Sequence, residues 1–232
     1  MLALNLLVVS EYKTPILTYH DIIETRDAKS VWFDCTRQEF ESQIQWLKNK
    51  KSVFISLDQL VSALEAKSKL PKNAICITFA DNYQGFYKFA WPILKRERIP
   101  VAQFVHTDFI GNLTGRPKMT WKQLKELQSS GLVTIGSQTL SHPPDLTRLS
   151  NEAIRKEFKD SKLRLEKFLR TNIQYLAYPN GKYNRRVSLL AKESGYRAAF
   201  TEQLLPAESH PNLWEIPRYV HTKYELAWLK CR

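Results

Sequence analysis

Short runs of β-branched and aliphatic residues alternate along the chain with longer stretches whose apolar positions recur every three to four residues. The runs at 15–19, 53–56, 74–79, 101–105, 132–136, 173–178 and 197–201 read as strands. Between them, Thr36-Arg37-Gln38-Glu39 is a capping box that opens a helix with Phe40, Ile44 and Leu47 on one face. Thr120-Trp121-Lys122-Gln123 repeats the device. A third helix follows Ser150 and carries Ile154, Phe158, Leu163 and Leu165, and Asn184 is a candidate cap for a fourth that ends at Gly195. Strands alternating with helices predict an α/β fold, a parallel β/α barrel that is either closed or incomplete.

With 232 residues, no repeat and no Gly/Ser linker, the chain is expected to form one domain over 1–232. Residues 1–9 are apolar but lack a basic start and a small-residue cleavage site, so they read as an edge strand or a leader remnant rather than a clear signal peptide. No run approaches the roughly 18 apolar residues that span a bilayer. A soluble protein, cytoplasmic or peripheral, is the expectation. Cys35, Cys76 and Cys231 are too few and too widely spaced for a disulfide framework or a zinc clip, and Cys76 reads as buried. The net charge of +12 favours acidic polymers or membrane surfaces in general, but the lysines and arginines are scattered over helices with no nucleic-acid motif.

In a parallel barrel, chemistry belongs at the carboxyl ends of the strands. Polar clusters fall there: Tyr19-His20-Asp21, Ala80-Asp81-Asn82, Ser137-Gln138 and Asn180-Gly181. Asp81 and His142, a carboxylate and an imidazole on loops of the same barrel end, are acceptable ligands for a divalent metal such as Zn²⁺. Two ligands are weak evidence, and plainer readings stand beside them. Asp81 caps the helix near Gln84, His20 is a core histidine, and Trp121 is packing. His106, His210 and His221 match no motif.

The neighbouring residues carry more. Ile77-Thr78-Phe79-Ala80-Asp81-Asn82-Tyr83 resembles the first motif of the polysaccharide deacetylases of carbohydrate esterase family four, normally Thr-Phe-Asp-Asp-Gly-Tyr. Ile135-Gly136-Ser137-Gln138-Thr139-Leu140-Ser141-His142 resembles the second, and Leu176-Ala177-Tyr178-Pro179-Asn180-Gly181 the third. Leu17-Thr18-Tyr19-His20, Met119-Thr120-Trp121 and Ile216-Pro217-Arg218 extend the likeness over 15–218. The resemblance implies a metal-assisted hydrolase acting on the N-acetyl amide of amino sugars, with an N-acetylated glycan or oligosaccharide as partner. It implies Asp81 and His142 as metal ligands, His20 as the acid, Asn180 as bearer of the oxyanion N–H, and Tyr178, Pro179 and Trp121 as a sugar groove.

Two positions depart from that pattern. Where the family places the base stands Ala80, and a methyl group takes no proton. Where it places the first metal histidine stands Gln138, whose neutral amide is a poor zinc ligand. Loss of a general base alone typically costs about 10²–10⁴ in rate. A Zn-like metal is then expected to be held weakly, and the chain reads as a degenerate deacetylase that keeps a carbohydrate groove. The alternatives are a working hydrolase on non-peptide carbon–nitrogen bonds that takes its base from Asp21, Asp108 or Asp145, and a basic module for acidic polymers.

Overall fold

In a computed structural model describing residues 13–232, every residue of the first strand, β1 (Ile16–Tyr19), is buried. A short pair, β2 (Ile22–Ile23) and β3 (Cys35–Thr36), holds the loop between them. Then follow α1 (Arg37–Asn49), β4 (Val53–Phe54), α2 (Leu57–Ala66), β5 (Ala74–Phe79), α3 (Trp91–Glu97), β6 (Val101–Val105), α4 (Trp121–Ser129), β7 (Val133–Ser137), α5 (Asn151–Leu169), β8 (Tyr175–Ala177), α6 (Arg185–Glu193), β9 (Ala198–Phe200), β10 (Tyr219–Val220) and α7 (Tyr224–Lys230). The predicted helix starts are where the caps are. Thr36 and Glu39 exchange both capping-box bonds, Thr120 and Gln123 do the same, and Ser150 and Asn184 cap α5 and α6. Residues 1–9, read as an edge strand or leader, lie outside the described residues.

The strands form one parallel sheet in the order β10-β1-β5-β6-β7-β8-β9, with β4 paired to the start of β5. Its two edges meet through one stretch of chain. Ile216 bridges Phe200 at the end of β9, and three residues later Tyr219 pairs with Leu17 of β1. The sheet is thus curled into an incomplete barrel, the α/β architecture the alternating pattern predicts. Strands buried on both faces, such as β5 with all six residues buried, are what a parallel sheet wrapped in helices requires.

Successive residues therefore serve two cores. Ile16, Cys76, Phe104, Tyr175 and Phe200 belong to one cluster, and Leu17, Ile77, Val105 and Leu176 to the other, where α1, α3, α4 and α5 pack. Leu163 is an exception to the predicted pattern. It is 62% exposed, because the buried stripe of α5 runs through Ile154, Phe158, Ser161, Leu165 and Leu169, and a residue two positions from both Ser161 and Leu165 points away. Burial pushes the Cys35 and Cys76 thiols up to about 12, so both are inert core residues.

Candidate active site

The carboxyl ends of β1, β5, β7, β8 and β9 open on a cavity of about 300 Å³ lined by His20, Trp32, Phe33, Asp81, Gln138, His142, Asn180 and Glu202. A larger cavity, about 660 Å³, lies between α6 and the segment from Gln203 to Glu215, and none of those eight residues lines it. The predicted residues His20, Asp81, Gln138, His142 and Asn180 are therefore brought together from four separate strand ends.

Asp81 is the most constrained of them. Its backbone is left-handed (φ 65°), as is that of Asn82 (φ 40°), the residue standing where the family motif has glycine. Three bonds hold this conformation. The Asp81 N–H donates to Gln138 Oε1 (2.7 Å), and its carbonyl accepts from His106 Nε2 and from Lys118 Nζ, both at 2.9 Å. Conformations of this kind persist where surrounding bonds over-determine them. Burial pushes the Asp81 carboxyl upward, but the imidazoles of His20, His142 and His106 and the Lys118 ammonium outweigh it and leave it below the usual carboxylate value. Desolvation lowers Lys118 to about 8, with its ammonium 3.3 Å from the Tyr83 ring centroid. Asp81 Oδ1 is buried without a hydrogen-bond partner among the described residues and faces His142 Nε2 at 3.5 Å, so the carboxylate is no helix cap.

Gln138 is 2% exposed and uses both ends of its amide. A backbone N–H only donates, so the side-chain oxygen faces Asp81 and the NH₂ group faces His142, Nε2 to Nε2 at 3.2 Å. An amide NH₂ only donates, so the His142 nitrogen accepts. The residue expected as a weak metal ligand is thus a hydrogen-bond bridge, with its oxygen already engaged. Among the described residues no group of three or more His, Cys, Asp and Glu side chains is arranged to hold a metal ion, and the donor set on this wall is a poor fit to a divalent cation.

On the opposite wall, His20 Nε2 stands 3.9 Å from Glu202 Oε1, and that oxygen is 3.5 Å from the guanidinium of Arg218. Arg218 is fully buried inside the curled sheet, donating to the Thr201 carbonyl and the hydroxyls of Thr18 and Thr78. Burial lowers the His20 imidazole below its ordinary value despite Asp81 and Glu202. It is therefore neutral near pH 7, and acting as an acid would require a proton taken up with the ligand. Asn180 is left-handed (φ 55°), with its side chain anchored on the Pro144 carbonyl at the rim.

Three residues expected in a sugar groove lie elsewhere. Tyr178 is fully buried and donates its hydroxyl to the Trp214 carbonyl, Pro179 is buried in the turn below Asn180, and Trp121 stacks on Phe168 of α5 (4.2 Å between centroids) where α4 packs on α5. The substitute bases are also elsewhere. Asp21 faces Arg116, Asp108 pairs with Arg164, and Asp145 caps a short turn beside Arg148 and Lys182. None of the three lines the cavity. The residues not singled out from sequence are Trp32, Phe33, Glu202, His106 and Lys118. His106 directly follows β6, and that strand-end position was the one available signal.

An aromatic edge completes the site. Trp32 is 65% exposed and meets Phe33 edge-on (5.5 Å), and Phe33 lies against His20 (5.0 Å). Their loop is pinned by Arg116, which binds the buried carboxylate of Asp34 and lies over Phe33.

Comparison with known proteins agrees with this arrangement. The sequence pattern of the family described as polysaccharide deacetylase matches residues 67–199. This chain belongs to the polysaccharide deacetylase family. Among curated family members, it is 33% identical over 199 residues to the poly-beta-1,6-N-acetyl-D-glucosamine N-deacetylase of Staphylococcus epidermidis, covering 80% of this chain and 67% of that one. It is 28% identical over 195 residues to the enzyme of the same name from Staphylococcus aureus, with the same coverage. The deacetylase PplD of Streptococcus pyogenes, solved in complex with acetate, superposes with a TM-score of 0.85 at 27% identity over 95% of this chain and 98% of that one. IcaB from Ammonifex degensii shares the fold (TM-score 0.81, 22% identity, 94% and 97% coverage). Polysaccharide deacetylases are typically metal-dependent. This member is deacetylase-like in fold and motif order, and among its described residues no helix is long and apolar enough to cross a membrane.

Proposed function

We propose that this protein binds an N-acetylated glucosamine polymer in the cavity between Asp81 and Glu202, with Trp32 as a stacking edge, and that it hydrolyses the acetamide slowly or not at all. One observation carries the reading. Position 80, at the mouth of β5 beside Asp81, is a buried alanine, and among the described residues the carboxylates lining the cavity are Asp81 and Glu202. Asp81 already faces His142, which leaves no carboxylate at the family's base position. The polymer class is that named for the staphylococcal relatives.

A second reading rests on Glu202. Its carboxylate lines the cavity beside His20, so slow turnover with Glu202 as the base is the alternative to pure binding. Acetate release from β-1,6-linked N-acetylglucosamine oligomers separates the two, measured with added Zn²⁺ or Co²⁺ on the natural chain and on an Ala80→Asp, Gln138→His double variant. Release by the double variant alone supports a binding protein with a disabled centre. Release by the natural chain that disappears in Glu202→Gln establishes the second reading. Failure of the natural chain to bind the oligomers overturns both.

A further inference from the structure

The position of a metal on this wall is closed by one side chain. In the family pattern the wall offers a carboxylate and two imidazoles; here the first imidazole position is Gln138, at the end of β7. A glutamine there could have presented its oxygen to a cation. Instead, the oxygen accepts the Asp81 N–H at 2.7 Å and the NH₂ group meets His142 Nε2 at 3.2 Å. Turning the amide over would set its NH₂ against the buried N–H of Asp81, two donors with no acceptor between them. The orientation is therefore fixed by the backbone and not by any ligand.

The consequence for His142 is direct. Its Nε2, the nitrogen facing Asp81 Oδ1 at 3.5 Å, spends its lone pair on the Gln138 NH₂ group. An imidazole binds a metal only through such a lone pair. Two of the three groups on the wall are thus engaged with each other, and the third, Asp81 Oδ1, stays buried without a hydrogen-bond partner among the described residues. That oxygen is the single feature that still suits a cation.

We infer that Gln138 is the residue that keeps metal out of this site: Asp81, Gln138 and His142 form a hydrogen-bonded chain that takes no divalent ion and keeps the cavity in shape without one. The left-handed backbones of Asp81 and His142 (φ 65° and 55°) are held by neighbouring side chains. Gln138 bonds the N–H of Asp81, and the Thr139 hydroxyl accepts the N–H of His142. A metal is not needed to hold them. The inference is independent of whether the cavity takes a glycan.

The test uses Zn²⁺ itself and no sugar. The natural chain, Gln138→His and Gln138→Glu are each dialysed against a chelator, given one equivalent of Zn²⁺, passed through a desalting column and assayed for retained metal, with thermal melts in parallel. Gln138→Glu is isosteric and keeps an oxygen for the Asp81 N–H, so it guards against a histidine variant that fails to fold. Expected is no retained zinc and no zinc-dependent shift in Tm for the natural chain, against about one zinc per chain and a rising Tm for whichever variants fold. Stoichiometric zinc on the natural chain that is lost in His142→Ala overturns the inference. So does failure of both folded position-138 variants to retain zinc. Glycan binding by the natural chain, measured separately with and without chelator, reports on the proposed function and leaves the zinc result unaffected.

Discussion

His20 and Glu202 stand side by side on one wall of the cavity, 3.9 Å apart, and the same carboxylate oxygen lies 3.5 Å from Arg218, a guanidinium with no exposure to water. The carboxylate is thus the charged partner placed to offset a buried cation. Removing one partner of a buried pair leaves the other charge uncompensated, and the cost exceeds the net worth of the pair. Glu202 is itself one-fifth exposed, which moderates the effect. Glu202→Gln is expected to lower the unfolding free energy by about 1–3 kcal/mol, read from urea midpoints at unchanged m. An unchanged midpoint would mean that Arg218 is balanced by the Thr201 carbonyl and the threonine hydroxyls alone.

Acid should destabilise the protein well above the carboxylate range. Burial pushes His106 and His221 down to about 4, whereas in the unfolded chain they titrate near the ordinary 6.5. The unfolded state therefore binds more protons below pH 6.5, and stability falls as the pH drops from there toward 4. Asp21 opposes this. Burial raises its carboxyl to about 6 from 3.8, so the folded state gains as the pH falls from 6 toward 3.8. The histidines outweigh it, and a net loss of roughly 2–3 kcal/mol between pH 7 and pH 5 is expected. His221 stacks on Tyr19 (5.0 Å), and His221→Phe keeps a ring there while removing the proton site. The same acid-dependent loss in that variant would show that His221 does not titrate as a buried neutral group.

Two tryptophans separate the groove expected from sequence from the one in the structure. Trp32→Ala removes an exposed ring at the cavity edge, so oligosaccharide binding should weaken about tenfold, the equivalent of one aromatic stack, with stability unchanged. Trp121→Ala unstacks Phe168 between α4 and α5, away from the cavity lining, and should leave binding as it was. Titration of both variants with N-acetylglucosamine oligomers reads the difference, and the opposite ranking would return the groove to Trp121.

What could be read in advance follows from how local each determinant is. Helix starts were legible because a cap is written within four residues, as at Thr36 and Thr120. The strand-end clusters were legible because the parallel topology sends every strand's carboxyl end to one side. Trp32 was not, since it reaches the cavity on a loop whose path is set by the distant pairing of Arg116 with Asp34, and Glu202, two residues past β9, sits in no motif that marks it. The amide orientation of Gln138 was equally hidden, because it depends on the left-handed turn at Asp81, and aspartate in the sequence does not announce that geometry. For Trp121 both readings, groove and packing, stood open in the sequence, and its stack on Phe168 is packing. An aromatic next to a helix cap looks the same in sequence whether it lines a groove or packs between two helices.

The stretch that joins β9 to β1 imposes an order on folding. Arg218 and Thr18 are bonded across 200 residues of chain, and the outer edge of β1 has no partner until Tyr219 and Val220 have emerged. During synthesis the nascent sheet must therefore wait with an unpaired, fully buried-type strand exposed, a state that is slow to resolve and prone to pairing with other chains. The segment 216–220 is the latch of the barrel, joining β1 to β9 only once nearly the whole chain is made.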